Sequence, residues 1–341
     1  MARSPCQSMV MAELNSPTSA IYTLDNLAVL EGLNSECIDL IYLDPPFNTG
    51  KQWHAPIGGR GEQVGFNDIW GWDRDSNETL YESIERQWED ARDYAGTAVR
   101  EVVEAAVASH SPQMGAYCAF MAPRLIEMHR VLKPTGSIYL HCDPFANSYL
   151  RLLMDAIFGQ QLMRNEIAWC YTGPGNVKRW FPRKHDTLLF YAKSNDNHFE
   201  RDAVRVPYVK LNTGKTQGIF KQEATLSVDG KVPEDWWSEF SPVGRIKSER
   251  TGYPTQKPLA LIERIIEASA PINGVVLDPF AGCATACIAA QKRNREWIGI
   301  DIEPLAVELC RQRLRDELQL FDVTEELTIP PPNVASSASL N

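Results

Sequence analysis

VVLDPFAGCATACIAAQKRNREWIGID, Val275 to Asp301, is the stretch whose reading decides the fold. Val275–Leu277 is a short apolar run that stops on an acid, Asp278, and so has the form of a buried strand. Pro279 and Gly282 then break the chain into a turn. ATACIAAQKRN has helical character, and EWIGID is a second strand ending on Asp301, 23 positions after Asp278. In open α/β sheets ligands lie outside the carboxyl ends of strands, so a tight turn into a helix followed by an acid one strand later outlines a nucleoside pocket, the acid being placed for ribose hydroxyls. A pyrophosphate would need G-x-G-x-x-G so that backbone amides can approach it. Gly282-Cys283-Ala284-Thr285-Ala286-Cys287 has one glycine, which fits a nucleoside without phosphates better.

The same alternation extends outward. AVLEGL (28–33) suggests a short helix and CIDLIYLD (37–44) a buried strand ending at Asp44. FMAPRLIEMHRVLKPTG (120–136) is a helix that stops at Pro134 and Gly136, SIYLHCD (137–143) a strand, and PFANSYLRLLMDAIFG (144–159) a helix stopped by Gly159. PLALIERIIEASAPING (258–274) is a helix begun by Pro258, and PLAVELCRQRL (304–314) is another. The expected class is α/β: a mostly parallel, doubly wound sheet with helices on both faces. Segments 51–112 and about 195–250 look irregular and are candidate insertions. Residues 1–18 and the Pro/Ser-rich tail 324–341 look flexible, leaving 19–323 as the folded domain.

With 341 residues, 44% of them apolar, the chain can bury a substantial core. No leader and no run of about 18 apolar residues is visible, so no membrane association and a cytoplasmic location are expected. Eight scattered cysteines without a CxxC pair are expected as reduced thiols, with no metal site. The net charge of −10 argues against a protein that simply coats nucleic acid, yet cations cluster with aromatics in VKRWFPRKH (177–185). Lys178, Arg179, Arg183 and Lys184, around Trp180 and Phe181, are candidate DNA contacts. QKRNREW (291–297) is expected as a solvated face.

Four motifs in order carry a family resemblance: LDN (24–26), DPPF (44–47), TQKP (255–258) and DPFAGCAT (278–285), with GSIYLHCDP and RNEIAW similar in place. From about Tyr22 to Leu314 the chain resembles the S-adenosylmethionine-dependent amino-methyltransferases of DNA, in the circularly permuted beta arrangement where the catalytic motif precedes the cofactor motif. The resemblance implies a methyltransferase-type sheet, S-adenosylmethionine as cofactor, and double-stranded DNA as partner, with a cognate restriction endonuclease where one exists. Oligomeric state stays open. It implies Asp301 on the ribose hydroxyls, Asp25 near the adenine amino group, Asp278, Gly282, Thr255 and Lys257 around the methionine end, and Phe280 beside the adenine or methionine chain. Ala284 stands where the family usually has a second glycine, and an alanine at a helix start should be sterically mild.

DPPF suits that chemistry. An exocyclic amino nitrogen is a poor nucleophile because its lone pair is delocalised into the ring. Two acceptors on its hydrogens would turn the lone pair toward the methyl donor: the Asp44 carboxylate and the Pro45 carbonyl. Pro45 and Pro46 stiffen the backbone that aims them. Phe47 would stack on a base flipped from the duplex, returning about 1–3 kcal/mol of the flipping cost. Asp rather than Ser at the head of the tetrapeptide favours N6 of adenine over N4 of cytosine. Methylation of RNA or of a protein glutamine, where Asn replaces Asp, is disfavoured by Asp44. A silent DNA-binding relative is the non-enzymatic alternative. Sequence recognition is expected from about 165–250, with 51–112 as a second clamp. His141, Cys142 and Asp143 are expected as structural neighbours of the site.

Overall fold

The computed structural model describes residues 13–46, 52–57, 62–67, 78–208, 230–253, 255–318 and 324–330. Along the chain run β1 (Ala20–Tyr22), α1 (Asn26–Gly32), β2 (Ile38–Leu43), β3 (Gln52–Ile57), β4 (Glu62–Asn67), α2 (Glu78–Arg92), α3 (Gly96–Ser109) and α4 (Pro112–Val131). There follow β5 (Leu132–Cys142), α5 (Asn147–Met154), β6 (Met163–Cys170), β7 (His185–Ala192), β8 (Trp236–Trp237) and α6 (Leu259–Ser269). The last elements are β9 (Val275–Asp278), α7 (Thr285–Lys292), β10 (Glu296–Ile300), α8 (Pro304–Leu318) and β11 (Thr324–Glu326).

β2 explains the layering. All six of its residues are buried, as a strand covered on both faces requires. Ile41 and Leu43 enter one apolar cluster, with α4 and α5, while Leu40 and Tyr42 enter the other, with α6 and α7. The nine-stranded sheet has the order β11-β1-β10-β9-β2-β5-β7-β6-β8. From β11 to β5 every pairing is parallel, and β7 runs antiparallel between β5 and β6. The sheet is thus mostly parallel with helices on both faces, as expected.

Four expectations are corrected. Segment 51–112 is not irregular: β3 and β4 form an antiparallel hairpin, and α2 and α3 are regular helices. Ile84, Trp88, Ala91, Ala95, Val99, Val103 and Ala106 recur at helical spacing and are buried in the same core as α4. The region of about 165–250, expected to carry sequence recognition, is not all insertion, because β6 and β7 within it are strands of the central sheet. The tail begins with order: β11 pairs in parallel with β1, and the Thr23 amide donates to the Glu326 carbonyl at 3.2 Å. The helix expected at 120–136 starts earlier, at Pro112 with Ser111 as its cap, and Pro134 and Gly136 lie inside β5.

Cys37, Cys118, Cys142, Cys283, Cys287 and Cys310 are buried free thiols, Cys170 is half-buried and free, and Cys6 lies outside the described residues. Among the described residues no His, Cys, Asp and Glu group could hold a metal, and no helix is long and apolar enough to cross a membrane. In QKRNREW, Arg293 pairs with Glu263 and Glu267, and Arg295 donates to the Ala270 carbonyl, so these cations bind the fold to itself.

Candidate active site

Strand order sets the cleft. The chain leaves β2 toward β5 in one direction and leaves β9 toward β10 in the other, so the neighbours β2 and β9 flank the point where the winding reverses. Ligands of doubly wound sheets bind at such a point, outside the carboxyl ends. Ile41 is level with Leu277, and Leu277 with Ile298. Asp44 and Asp301 therefore lie at the same height two strands apart, about 10 Å by strand spacing, with Asp278 ending the strand between them. One carboxyl edge carries all three acids.

Asp44 is held asymmetrically. Its Oδ2 accepts from the Lys257 ammonium at 2.5 Å, with both side chains largely buried. Its Oδ1 is buried and has no hydrogen-bond partner among the described residues. Pro45 is buried and Pro46 half-buried; Phe47 lies outside the described residues. Lys257, expected around the methionine end, has its ammonium on the catalytic-motif acid. Thr255, exposed, lies in the left-handed region (φ 64°), a strained place for a β-branched residue, and its carbonyl accepts from Lys257 at 3.2 Å.

Asp278 and Asp301 are the electrostatic centre. Burial pushes the Asp278 carboxyl up to about 8, with Asp44 and Asp301 adding to the rise, against a hydrogen bond from the Phe280 amide and the charge of Lys257. Burial also raises Asp301, to about 6, although the amides of Gly282 (2.8 Å) and Glu303 (2.9 Å) donate to its two oxygens. Gly282 has φ 49°, and a Cβ there would stand 3.1 Å from the Tyr253 ring. Ala284 corrects the sequence expectation: it does not enter the helix but caps α7 in the left-handed conformation (φ 60°, ψ 30°), which costs an alanine roughly 1–2 kcal/mol. Asp44, Asp278 and Asp301 share this edge, where the Lys257 ammonium is taken by Asp44, and the acid-rich edge fits a cationic sulfonium ligand such as S-adenosylmethionine, with Gly282 admitting it closely and Asp301 flanking the loop.

Both raised carboxyls lie above their unfolded values near 4, so between about pH 4 and 8 these two groups hold more protons in the folded, ligand-free chain than in the unfolded one. The stability they contribute is complete below about pH 4 and is lost as pH rises through 6 and 8. The melting midpoint of the ligand-free protein is expected to fall from pH 6 to pH 8, and Asp278→Asn should flatten the fall. An unaltered slope in the variant would exclude Asp278 as its source.

Asp25, expected near the adenine amino group, is held by groups of the chain itself. Its carboxylate accepts from the Leu27 amide (2.9 Å) and Arg124 (2.9 Å) at Oδ1, and from Gln87 (2.9 Å) and Arg124 (3.2 Å) at Oδ2. These four bonds use its acceptor sites, leaving none for an adenine amino group. Burial opposes its ionisation, but Arg124, Gln87 and the Leu27 amide outweigh that and hold its carboxyl below the usual value. Arg124, 2% exposed, also donates to Asn26 (2.7 Å), whose amide nitrogen donates to the Pro279 carbonyl (2.8 Å). The guanidinium lies 3.5 Å from the Phe120 ring centre, and Phe120 packs at a tilt on Phe280. Gln87, Asn26 and Arg124 thus brace the DPF loop. The sequence signal was Arg124 itself, a lone cation inside the apolar FMAPRLIEM.

A second buried chain lies behind Asp44. The Tyr42 hydroxyl and His141 Nδ1 are 3.1 Å apart, His141 Nε2 lies 3.3 Å from Asp186 Oδ2, and Tyr171 donates to Asp186 Oδ1 at 3.1 Å. Asp143 receives the amides of Phe145 and Ala146, and Cys142 is buried, which agrees with a structural role for this strand end.

The cationic loop stands on the same edge. β6 runs parallel to β5, so residues 171–184 leave the sheet at its carboxyl side, where Cys170 pairs with His185. Lys178, Arg179 and Arg183 are exposed and Lys184 is half-buried. Trp180 is 64% and Phe181 93% exposed, and Arg183 lies over the Phe145 ring at 4.4 Å. Trp237, by contrast, is buried against Phe240 and Arg264.

A family model described as DNA methylase, of the N6/N4 type, matches residues 38–312. The type II methyltransferase M.ScaI of Streptomyces caespitosus is 35% identical over 308 residues, 88% of this chain and 82% of that protein. The DNA adenine methyltransferase YhdJ of Escherichia coli strain K12 is 28% identical over 295 residues, 85% of this chain and 80% of YhdJ. The solved structure of TTHA0409 from Thermus thermophilus, complexed with S-adenosyl-L-methionine, is similar with a TM-score of 0.52 at 16% identity, over 91% of this chain and 98% of that one, a likeness of fold.

Proposed function

Because the chain belongs to the N6/N4 DNA methylase family, a family of S-adenosylmethionine-dependent enzymes that methylate exocyclic amino groups of DNA, we propose that its own acceptor is N6 of adenine. One observation carries the reading: Asp44, at the head of DPPF, keeps a buried Oδ1 without a partner among the described residues, on the edge it shares with Asp278 and Asp301. Oδ1 would accept one amino hydrogen and the Pro45 carbonyl the other, turning the nitrogen lone pair out of conjugation with the ring. S-adenosylmethionine supplies an electrophilic methyl group on a sulfonium. Asp301, Asp278, Gly282, Thr255 and Phe280 would hold it, and Pro46 would stiffen the acceptor backbone while Phe47 stacks on the flipped base. The adenine choice draws on Asp44 heading the tetrapeptide and on the adenine specificity of YhdJ. The type II designation of M.ScaI supports a cognate restriction endonuclease as a partner.

The experiment is expression in a methylation-free host followed by sequencing with base-modification detection. N6-methyladenine at one short sequence is expected; N4-methylcytosine would overturn the adenine assignment, and unmodified DNA would overturn the activity.

The exposed loop 171–184 is the proposed duplex contact. Replacing Lys178, Arg179 and Arg183 together by Gln should weaken binding to all duplexes alike and flatten the dependence of log K on log salt by about 0.9 for each phosphate no longer neutralised. Fluorescence anisotropy across salt concentrations measures this, and an unchanged slope would remove the loop from the interface.

A further inference from the structure

Building on the reading of Asp44 as the acceptor for the target amino group, we infer that Lys257 is a positioning residue that fixes Asp44 Oδ2, so that Oδ1 alone meets the base. A carboxylate has two equivalent oxygens and a soft terminal torsion, so an unrestrained Asp44 would present either oxygen over a range of angles. The ammonium at 2.5 Å from Oδ2 breaks that equivalence, and both partners are largely buried, at 8% and 17% side-chain exposure. The other oxygen is buried and has no hydrogen-bond partner among the described residues.

The segment bearing Lys257 is built to hold it there. Lys257 and Asp44 are 213 positions apart in the chain, so the fold alone makes the contact. The strained Thr255 turns its carbonyl onto the ammonium. Gln256, between them, accepts from the Thr251 amide (3.1 Å) and hydroxyl (2.8 Å) and donates to the Glu249 carbonyl (2.8 Å). Pro258 begins α6 immediately afterwards. A lysine whose flanks are fixed on both sides and whose ammonium already contacts a buried carboxylate is placed to hold that oxygen in one position.

The test uses full-length Lys257→Met and Lys257→Arg. Cofactor affinity is measured by calorimetry, and kcat and KM for S-adenosylmethionine on the DNA that the wild type modifies. Lys257→Met is expected to bind S-adenosylmethionine within about threefold of wild type while kcat falls about 100-fold, the order of loss for a misplaced reacting group. Lys257→Arg should recover about tenfold of the lost kcat by restoring a cation to Oδ2. Affinity lost by more than about 30-fold, with kcat retained at saturating cofactor, would overturn the inference and make Lys257 a cofactor ligand. Wild-type kcat in Lys257→Met would overturn it as well. If Lys257→Met fails to fold, Lys257→Arg decides: reduced kcat with intact affinity supports the inference, and any other pattern refutes it. A wild type that transfers no methyl group would instead sink the Asp44 reading beneath it.

Discussion

Asp44→Ala is expected to reduce methyl transfer by about a thousandfold or more, the scale on which removing a positioned proton acceptor acts. Cofactor affinity should stay nearly unchanged, because the residues proposed to hold the cofactor belong to β9, the loops after β9 and β10, and the segment before α6, whereas Asp44 directly follows β2. The substitution leaves the Lys257 ammonium without Oδ2, so melting must be followed alongside. Asp44→Asn retains a side-chain oxygen and the shape, and separates loss of the acceptor charge from loss of packing. Methyl incorporation into DNA measures turnover and calorimetry measures binding. Wild-type turnover in Asp44→Ala would remove Asp44 from the chemistry, and an equal collapse of affinity would make it a cofactor residue.

Asp25→Ala should have the largest effect on stability, about 3–5 kcal/mol, the loss found when one member of a buried ion pair is removed. Arg124 is almost wholly buried, and burial lowers its pKa to about 10, so at neutral pH it stays charged and would be left uncompensated. The substitution also deletes the cap of α1 and the Gln87 hydrogen bond that ties α2 to the site. Urea denaturation of the variant gives the number. Adding Arg124→Met to Asp25→Ala should recover much of the loss, since an apolar side chain needs no counter-charge. A loss below about 1 kcal/mol would show that the pair behaves as an exposed one. Because Asn26 links Arg124 to the Pro279 carbonyl, looser cofactor binding is expected in the same variant.

The strand ends were legible in the sequence because a strand buried on both faces is a continuous apolar run, and an acid that ends such a run is conspicuous. Asp44, Asp278 and Asp301 were located by that rule, and their order along the chain marked the permuted arrangement. Helices α2 and α3 were not legible: their buried positions are spread among charged residues, and only α4 and α5 reveal which face is inward. Edge strand β11, three residues long, had no signal of its own apart from its partner β1.

Side-chain roles divided along the same line. Local sequence determined which residues could do chemistry, because a turn, a proline pair and a terminal acid are properties of neighbouring positions. Which acid is tied into the fold and which keeps an oxygen without a partner among the described residues was decided by the tertiary structure alone. Arg124 takes Asp25 from 99 positions away, and Lys257 takes one oxygen of Asp44 from 213 away. Hydrogen bonds and charges act over a few ångströms of space, and only the folded chain converts separations of that length into contact.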